Sequence, residues 1–248
     1  MDTREPALDD RSVNSQRARL AVVSGANRGI GRELVRQLVR RGYHTVLGSR
    51  NLEQGQRAAA ELAHEGATGV LVRQLDVTDQ ASIDRLAGEL TEDFGRLDVL
   101  INNAGIHYDS WQRASGADLA IVREALETNL LGTWRMCLAL LPLLRANGTG
   151  RIVNLSSEAA SLTTMGGCLP AYRVSKVAVN ALTRMLAAEL RSDGVLVNAV
   201  SPGWVATDMG GPGGRPAADV ATAVVWAAEL PADGASGEFF RDERVLPW

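Results

Sequence analysis

The stretch LAVVSGANRGIG, residues 20–31, decides the fold. An uninterrupted apolar run, Leu20-Ala21-Val22-Val23, leads through Ser24 into three glycines, Gly25, Gly29 and Gly31, and a helical period sets in at about Ile30. A run that is apolar at every position reads as a strand covered on both faces. Glycines where a strand becomes a helix permit a tight turn and let a ligand approach the backbone. The helix N-terminus then presents unpaired N–H groups and a partial positive charge suited to a pyrophosphate. The spacing is G-x-x-x-G-x-G, not the G-x-G-x-x-G of the commonest dinucleotide fingerprint, and a glycine turn without a ligand is the competing reading.

Outward from this unit the alternation repeats. β-Branched or leucine-rich runs place strands near 19–24, 44–49, 69–75, 97–102, 151–156, 195–200 and 237–241. Helical-period segments fill the intervals at 30–41, 52–65, 79–94, 116–146, 172–192 and 217–229. Such a rhythm predicts a parallel sheet wrapped by helices. No internal repeat or composition shift marks a linker, so the seven strands form one doubly wound α/β domain over residues 19–248. Residues 1–18, polar and without an apolar stretch, are expected to be a flexible tail and not a secretory signal. Asp79 and Ser82 are candidate helix caps, and Gly210 to Gly214 marks a loop.

Composition narrows the function. With 46% hydrophobic and 22% charged residues, the 248-residue chain is neither disordered, collagen-like nor a disulfide scaffold. No run approaches the roughly 18 uncharged apolar residues of a spanning helix. A net charge of −3 offers no footprint for nucleic acid or an anionic membrane surface, so neither partner is expected. Cys137 and Cys168 lie in unrelated segments and no Cys/His cluster has metal-ligand spacing, so free thiols, no metal and a reducing, cytoplasmic compartment are expected.

An NAD site carries an acidic residue about 20 residues beyond its glycines, to bind the ribose hydroxyls. Here Gly48-Ser49-Arg50 occupies that place, with no carboxylate. Arg50 and Arg28, the latter inside the glycine turn, suit a 2′-phosphate, which makes NADP(H) the expected cofactor. A solvated surface charge is the competing reading for each. Asp76 ends the third strand and Asn102-Asn103-Ala104-Gly105 ends the fourth, both at the carboxyl edge where open α/β sheets bind ligands.

Of the 26 basic residues, every one but Lys176 is arginine. Lys176 stands four residues after Tyr172, which on a helix places both on one face. A phenol titrates near 10 and serves as a proton donor or acceptor at neutral pH when a positive charge favours its phenolate; the lysine supplies that charge. With three tyrosines in 248 residues, the chance of this spacing is about 1 in 80. Fifteen residues before Tyr172, Ser156 and Ser157 end the fifth strand, where a hydroxyl can hydrogen-bond a substrate oxygen. Sequence physics does not separate the two serines.

Together SGANRGIG, Asp76, NNAG, Asn129, the strand-ending Ser157, YRVSK and PGWVAT at 202–207 resemble the short-chain dehydrogenase/reductase family over residues 19–248. GANRGIG with GYHTVLGSR, VNAVSPGWVATDM and the closing SGEFFRDERVLPW are most similar to its carbonyl-reductase-like branch. The resemblance implies a Rossmann fold with strand order 3-2-1-4-5-6-7. It implies Tyr172 as general acid/base, Ser157 steadying the substrate oxygen, Lys176 lowering the tyrosine pKa and binding the nicotinamide ribose, and Asn129 holding a relay water. Gly25, Asn27, Arg28, Gly29, Ile30, Gly31, Ser49 and Arg50 would bind the adenosine and pyrophosphate side. Asp76 and Val77 would contact the adenine, Asn103, Ala104 and Gly105 would line the cofactor, and Pro202, Gly203, Val205 and Thr207 would hold the carboxamide.

The expected function is reversible reduction of an apolar ketone or aldehyde to its alcohol, since hydride transfer leaves an oxygen that needs a proton and a hydrogen-bond donor. The alternatives are a non-catalytic nucleotide-sensing or scaffold protein and an NAD-linked alcohol dehydrogenase. His107, Tyr108, Trp111, Leu162, Met165, Leu169, Trp204 and Met209 are expected around an apolar pocket. The short, Gly-rich Asp208 to Arg215 segment predicts an open or mobile cleft. Leucines on more than one side of 116–146, and outer faces of 116–146 and 172–192 left clear, point to a homodimer or homotetramer.

Overall fold

The computed structural model describes residues 18–248, so the expected tail lies outside the described residues apart from Ala18. β1 (Leu20–Val23) enters α1 (Gly29–Arg40), and β2 (His44–Ser49), α2 (Leu52–His64), β3 (Val70–Gln74) and α3 (Gln80–Asp93) follow. The second half runs β4 (Val99–Asn102), α4 (Leu119–Ala125), α5 (Thr133–Asn147), β5 (Arg151–Leu155), α6 (Pro170–Glu189), β6 (Leu196–Val200), α7 (Ala217–Ala228), β7 (Phe239–Arg241) and β8 (Arg244–Val245). The sheet order is β3-β2-β1-β4-β5-β6-β7-β8, so the chain reverses direction of travel between β1 and β4. That switch point opens a crevice at the carboxyl ends of both strands.

The strands are parallel through β7, but an eighth strand, β8, pairs antiparallel with β7. The expected seven-stranded parallel sheet is therefore one strand short. The β7–β8 hairpin turns on Asp242 and Glu243, both with positive φ (48° and 65°), the backbone of a two-residue primed turn. Neither residue is Gly or Asn, and a two-residue strand carries no periodicity, which is why the sequence did not announce it.

Helices cover both faces. Ile83, Leu86 and Leu90 of α3, Met136, Leu140 and Leu144 of α5, and Leu182 and Leu186 of α6 form one core layer. Leu34, Val35 and Leu38 of α1, Leu62 of α2, and Ala221, Val224 and Val225 of α7 form the other. β1, β4, β5 and β6 are buried at every position, as two-sided cover demands. Among the described residues no helix is long and apolar enough to cross a membrane.

Three boundaries differ from expectation. The helix expected over 116–146 begins after Asp118, whose carboxylate accepts from Ala120 N at 2.8 Å, and is interrupted by a π-helical stretch, Leu126–Gly132. Such widened turns are rare and concentrate at functional sites, so no periodicity rule anticipates one. The helix expected from 172 begins at Pro170, the first-turn position where a missing N–H costs nothing. Of the two proposed caps, Asp79 caps α3 through Ala81 N at 3.0 Å. Ser82 does not: it is buried, accepts from Asp76 N at 3.0 Å and donates to Gln74 at 2.9 Å, tying the end of β3 to α3.

Candidate active site

The glycine turn is shaped for close approach. Gly25 and Gly29 have φ of 62° and 55°, the left-handed region, and a Cβ on Gly31 would lie 2.6 Å from Asn103 Nδ2. Asn103 donates through that nitrogen to the carbonyls of Ser24 and Gly25 at 2.9 Å each. Ser24 Oγ accepts from the N–H groups of Asn103 and Ala104 at 3.1 Å. The ends of β1 and β4 are thus sewn together at the switch point.

A cleft of about 540 Å³ follows. One wall is the turn itself, with Gly25, Asn27, Arg28, Gly29, Ile30, Gly31 and Arg50; Asp76 and Val77 lie after β3, and Asn103, Ala104, Gly105 and Ile106 after β4. The far end carries Tyr172, Lys176, Pro202 and Thr207, joined by Glu124, Thr128 and Met209. A second, open cavity of about 640 Å³ adjoins it beside β2, lined by Asn27, Arg28, Ser49, Arg50, Asn51, Gln54 and Arg57, with Ala58 and the Glu61 carboxylate at its α2 side. Three guanidinium groups, Arg28, Arg50 and Arg57, therefore surround one hollow, with no carboxylate at the end of β2. Arg28 is paired across the cleft mouth with Asp208, and Arg57 with Glu53 at 3.4 Å, all four side chains being mostly exposed. Arg57 was not foreseen; its signal is helical spacing, since Gln54 and Arg57 share a face in the first turns of α2, and Arg50 just precedes the N-cap Asn51.

The chemistry gathers on α6. Lys176 is 5% exposed, donates from Nζ to the carbonyl of Leu155 at 2.7 Å, and lies 5.9 Å from the Tyr172 ring centroid. Ser157 hydrogen-bonds the Tyr172 phenol. Ser156 instead donates to Asn180 Oδ1 at 2.6 Å in the buried interior. The serines differ in partner: Ser156, which also lines the cleft, bonds α6, while Ser157, which also accepts from Ala159 N at 3.2 Å, meets the phenol.

Electrostatics correct one expectation. Burial pushes the Tyr172 phenol up from its ordinary value; the Ser157 hydrogen bond pulls it down and the Asp109 carboxylate pushes it up again. Lys176, which burial pulls down to about 8, is not among the groups that shift the phenol. The phenol therefore holds its proton across neutral pH, the state a proton donor requires.

Asn129 sits in the π-helical stretch and is fully buried. Its Oδ1 accepts from Ile106 N at 2.8 Å, while Nδ2 donates to Ile106 O at 3.0 Å and Ser175 Oγ at 2.9 Å. Its side chain thus fastens the loop after β4 to α6. It also bounds the cleft floor, since a Cβ on Gly105 would lie 3.2 Å from Asn129 Oδ1 and 3.6 Å from Lys176 Nζ.

Several expected residues stand elsewhere. Val205 is buried and bridges to Arg215, and Gly203 turns under Arg241, so Ala206 and not Val205 faces the cleft. Ser49 does border the β2 cavity, with its hydroxyl turned to Asn51 O at 2.7 Å. Of the expected apolar lining, Met209 reaches the cleft and His107 packs on Tyr172 with ring centroids 4.4 Å apart. Tyr108, Trp111, Leu162, Met165 and Trp204 are exposed, and Leu169 is half-buried at the start of α6. Trp204 donates from its indole N–H to Gly210 O at 2.7 Å and rests on Gly213. The Gly-rich segment expected to be mobile is tied down by the bridges Val205–Arg215 and Thr207–Gly211 and by the ion pairs Arg28–Asp208 and Arg215–Asp242.

Residues 19–215 match the family model described as short chain dehydrogenase. The chain is similar to Carbonyl reductase (NADPH) 1 of Sus scrofa, 34% identical with 94% of this chain and 96% of that protein covered. The Homo sapiens protein of that name is also 34% identical, over 92% of this chain and 98% of its own length. Among solved structures, the NADPH-bound carbonyl reductase from chicken fatty liver superposes with a TM-score of 0.83 at 28% identity, covering 94% of this chain and all of that one. ElxO with NADP bound gives 0.82 at 25% identity, over 91% and 97%.

Proposed function

The chain belongs to the short-chain dehydrogenase/reductase family, and from that premise we propose that it is an NADPH-dependent reductase that converts an apolar ketone or aldehyde to its alcohol, reversibly. The observation that carries the reading is the far end of the cleft: Tyr172 and Lys176 line it at the carboxyl edge, and Ser157 hydrogen-bonds a phenol kept protonated.

NADPH, when bound, supplies the hydride. The protein fits it: the glycine turn leaves no room for a Cβ at Gly31, and the hollow ringed by Arg28, Arg50 and Arg57 suits a 2′-phosphate. Tyr172 gives its proton to the carbonyl oxygen, and Ser157 offers a second hydrogen bond where negative charge develops. Lys176, held by Leu155 O, provides a buried cation beside Tyr172 and a donor toward the nicotinamide ribose. Asn129 keeps α6 and the loop after β4 in register around this group. Tyr172 and Lys176 both in place argue against a purely sensing or scaffold role.

The working form is a cytoplasmic homodimer or homotetramer assembled on the outer faces of α5 and α6. Leu138, Val174 and Met185, each more than half exposed, support that reading.

A panel of apolar ketones and aldehydes, with NADPH oxidation as readout, tests the assignment. Turnover with NADPH on members of the panel supports it, and absence of turnover on all of them removes it.

A further inference from the structure

α6 carries Tyr172 and Lys176, yet it begins in a way that its own sequence does not stabilise. Its N-cap residue, Leu169, has φ 59° and ψ 47°, a left-handed conformation that costs a branched residue roughly 1–2 kcal/mol, and it offers no side-chain cap. The first N–H groups of the helix therefore need partners from elsewhere.

They find one in Asp109, from the loop after β4. This carboxylate is 1% exposed, and its Oδ2 accepts from Ala171 N at 2.8 Å and from Tyr172 N at 3.4 Å. The loop is held against the helix start by further bonds: Gln112 N donates to Asp109 O at 3.0 Å, and Leu169 N donates to Gln112 O at 3.3 Å. Two residues before Asp109, His107 lies on the Tyr172 ring, and its Nε2 is buried without a hydrogen-bond partner. A single three-residue segment thus holds the tyrosine at both ends, its backbone through Asp109 and its ring through His107.

We propose that Asp109 is a positioning residue of the reaction: it caps the catalytic helix from outside and fixes the backbone from which Tyr172 reaches the substrate oxygen. The inference rests on Tyr172 being the proton donor. A carboxylate at a helix N-terminus is also favoured by the macrodipole, so here a cap and a charge are delivered by one group. The groups that face Tyr172 are His107 and Asp109 from this loop, Ser157 from the loop after β5, and Lys176 from its own helix. Of these Asp109 carries the negative charge, which favours the protonated phenol and the protonated imidazole alike.

The test compares wild type with Asp109→Asn and Asp109→Ala, reading kcat, NADPH affinity and the alkaline tyrosinate absorbance. Subtracting each variant's Tyr172→Phe partner isolates Tyr172 in the last readout. Asp109→Ala is expected to lower kcat at least roughly tenfold with NADPH affinity held within about twofold, because misplacing a reacting group is costly while the cofactor walls are untouched. Asp109→Asn keeps an acceptor for Ala171 N, so it should recover most of kcat, but loss of the charge should move the Tyr172 titration to lower pH. An unshifted Tyr172 titration in Asp109→Asn overturns the proposal, as does wild-type kcat in Asp109→Ala or a parallel loss of kcat and NADPH affinity. If Asp109→Ala fails to fold, the Asp109→Asn titration decides. A wild type that reduces no carbonyl defeats the functional assignment instead, and the tyrosinate readout still judges Asp109.

Discussion

Lys176 Nζ is fixed to the carbonyl of Leu155 at 2.7 Å and stands 5.9 Å from the centroid of Tyr172, one helical turn away. The ammonium is thus aimed by the end of β5 and not by the phenol itself. A compact, buried cation at this point can serve both the tyrosine and a ribose, whereas a guanidinium is broader, planar and permanently charged.

Lys176→Arg preserves the net charge yet should lower kcat/KM about 100-fold, or about 2.7 kcal/mol of transition-state stabilisation. Steady-state assays on the purified variant check this, with circular dichroism to show that it is folded. Near-normal turnover would return the only lysine of the chain to compositional chance.

Burial brings Lys176 down to about 8, so it is charged below that pH and neutral above it. A cofactor that binds the ammonium form takes up a proton when Lys176 is neutral, and by linkage its affinity falls as pH rises through that value. NADPH affinity should be flat below about pH 7 and weaken above pH 8, by at most tenfold per unit. Lys176→Met should bind more weakly at pH 7 and lack this limb; the same pH dependence in both proteins would contradict the assignment.

The two adjacent serines should fail differently. Ser157→Ala removes the hydroxyl that meets Tyr172 and also accepts from Ala159 N at 3.2 Å, and should cut kcat at least tenfold with a cap-sized stability loss of about 1 kcal/mol. Ser156→Ala strips Asn180 Oδ1 of its buried donor and should destabilise the fold by about 1–3 kcal/mol. Thermal melts beside turnover separate them.

For cofactor choice, Arg50→Asp should weaken NADPH binding at least tenfold while leaving NADH binding equal or better, since a charge-assisted phosphate contact is replaced by a carboxylate suited to ribose hydroxyls. Arg57→Ala should act in the same direction and more weakly. Fluorescence titration with both cofactors reads this, and equal wild-type affinity for NADH and NADPH would remove the phosphate argument.

Much of this was legible in local patterns. Apolar runs marked β1, β4, β5 and β6, where two-sided burial leaves no alternation to misread, and the glycines of residues 25–31 marked the turn without help from anything distant. Tyr172 and Lys176 were readable because their relation is a spacing along one helix. What escaped depends on contacts between remote segments. The cap that Asp109 gives to residues 62 and 63 positions later has no local signature. Neither does the choice of Ser156 over Ser157 as partner of Asn180, nor the π-helical stretch that buries Asn129. Trp204 was read as pocket lining because its type suits one, but three-dimensional proximity seats it on the glycine loop. Spacing reports that the Lys176 charge is near Tyr172, but the direction of the phenol's shift is set first by its own burial.

The most direct test of the central claim is NADPH oxidation on the carbonyl panel by wild type and by Tyr172→Phe, with NADPH affinity measured on both. Wild type should turn over, and the variant should lose at least a thousandfold in kcat while binding NADPH within about twofold of wild type. Turnover retained by Tyr172→Phe would contradict the assignment of this phenol as the proton donor.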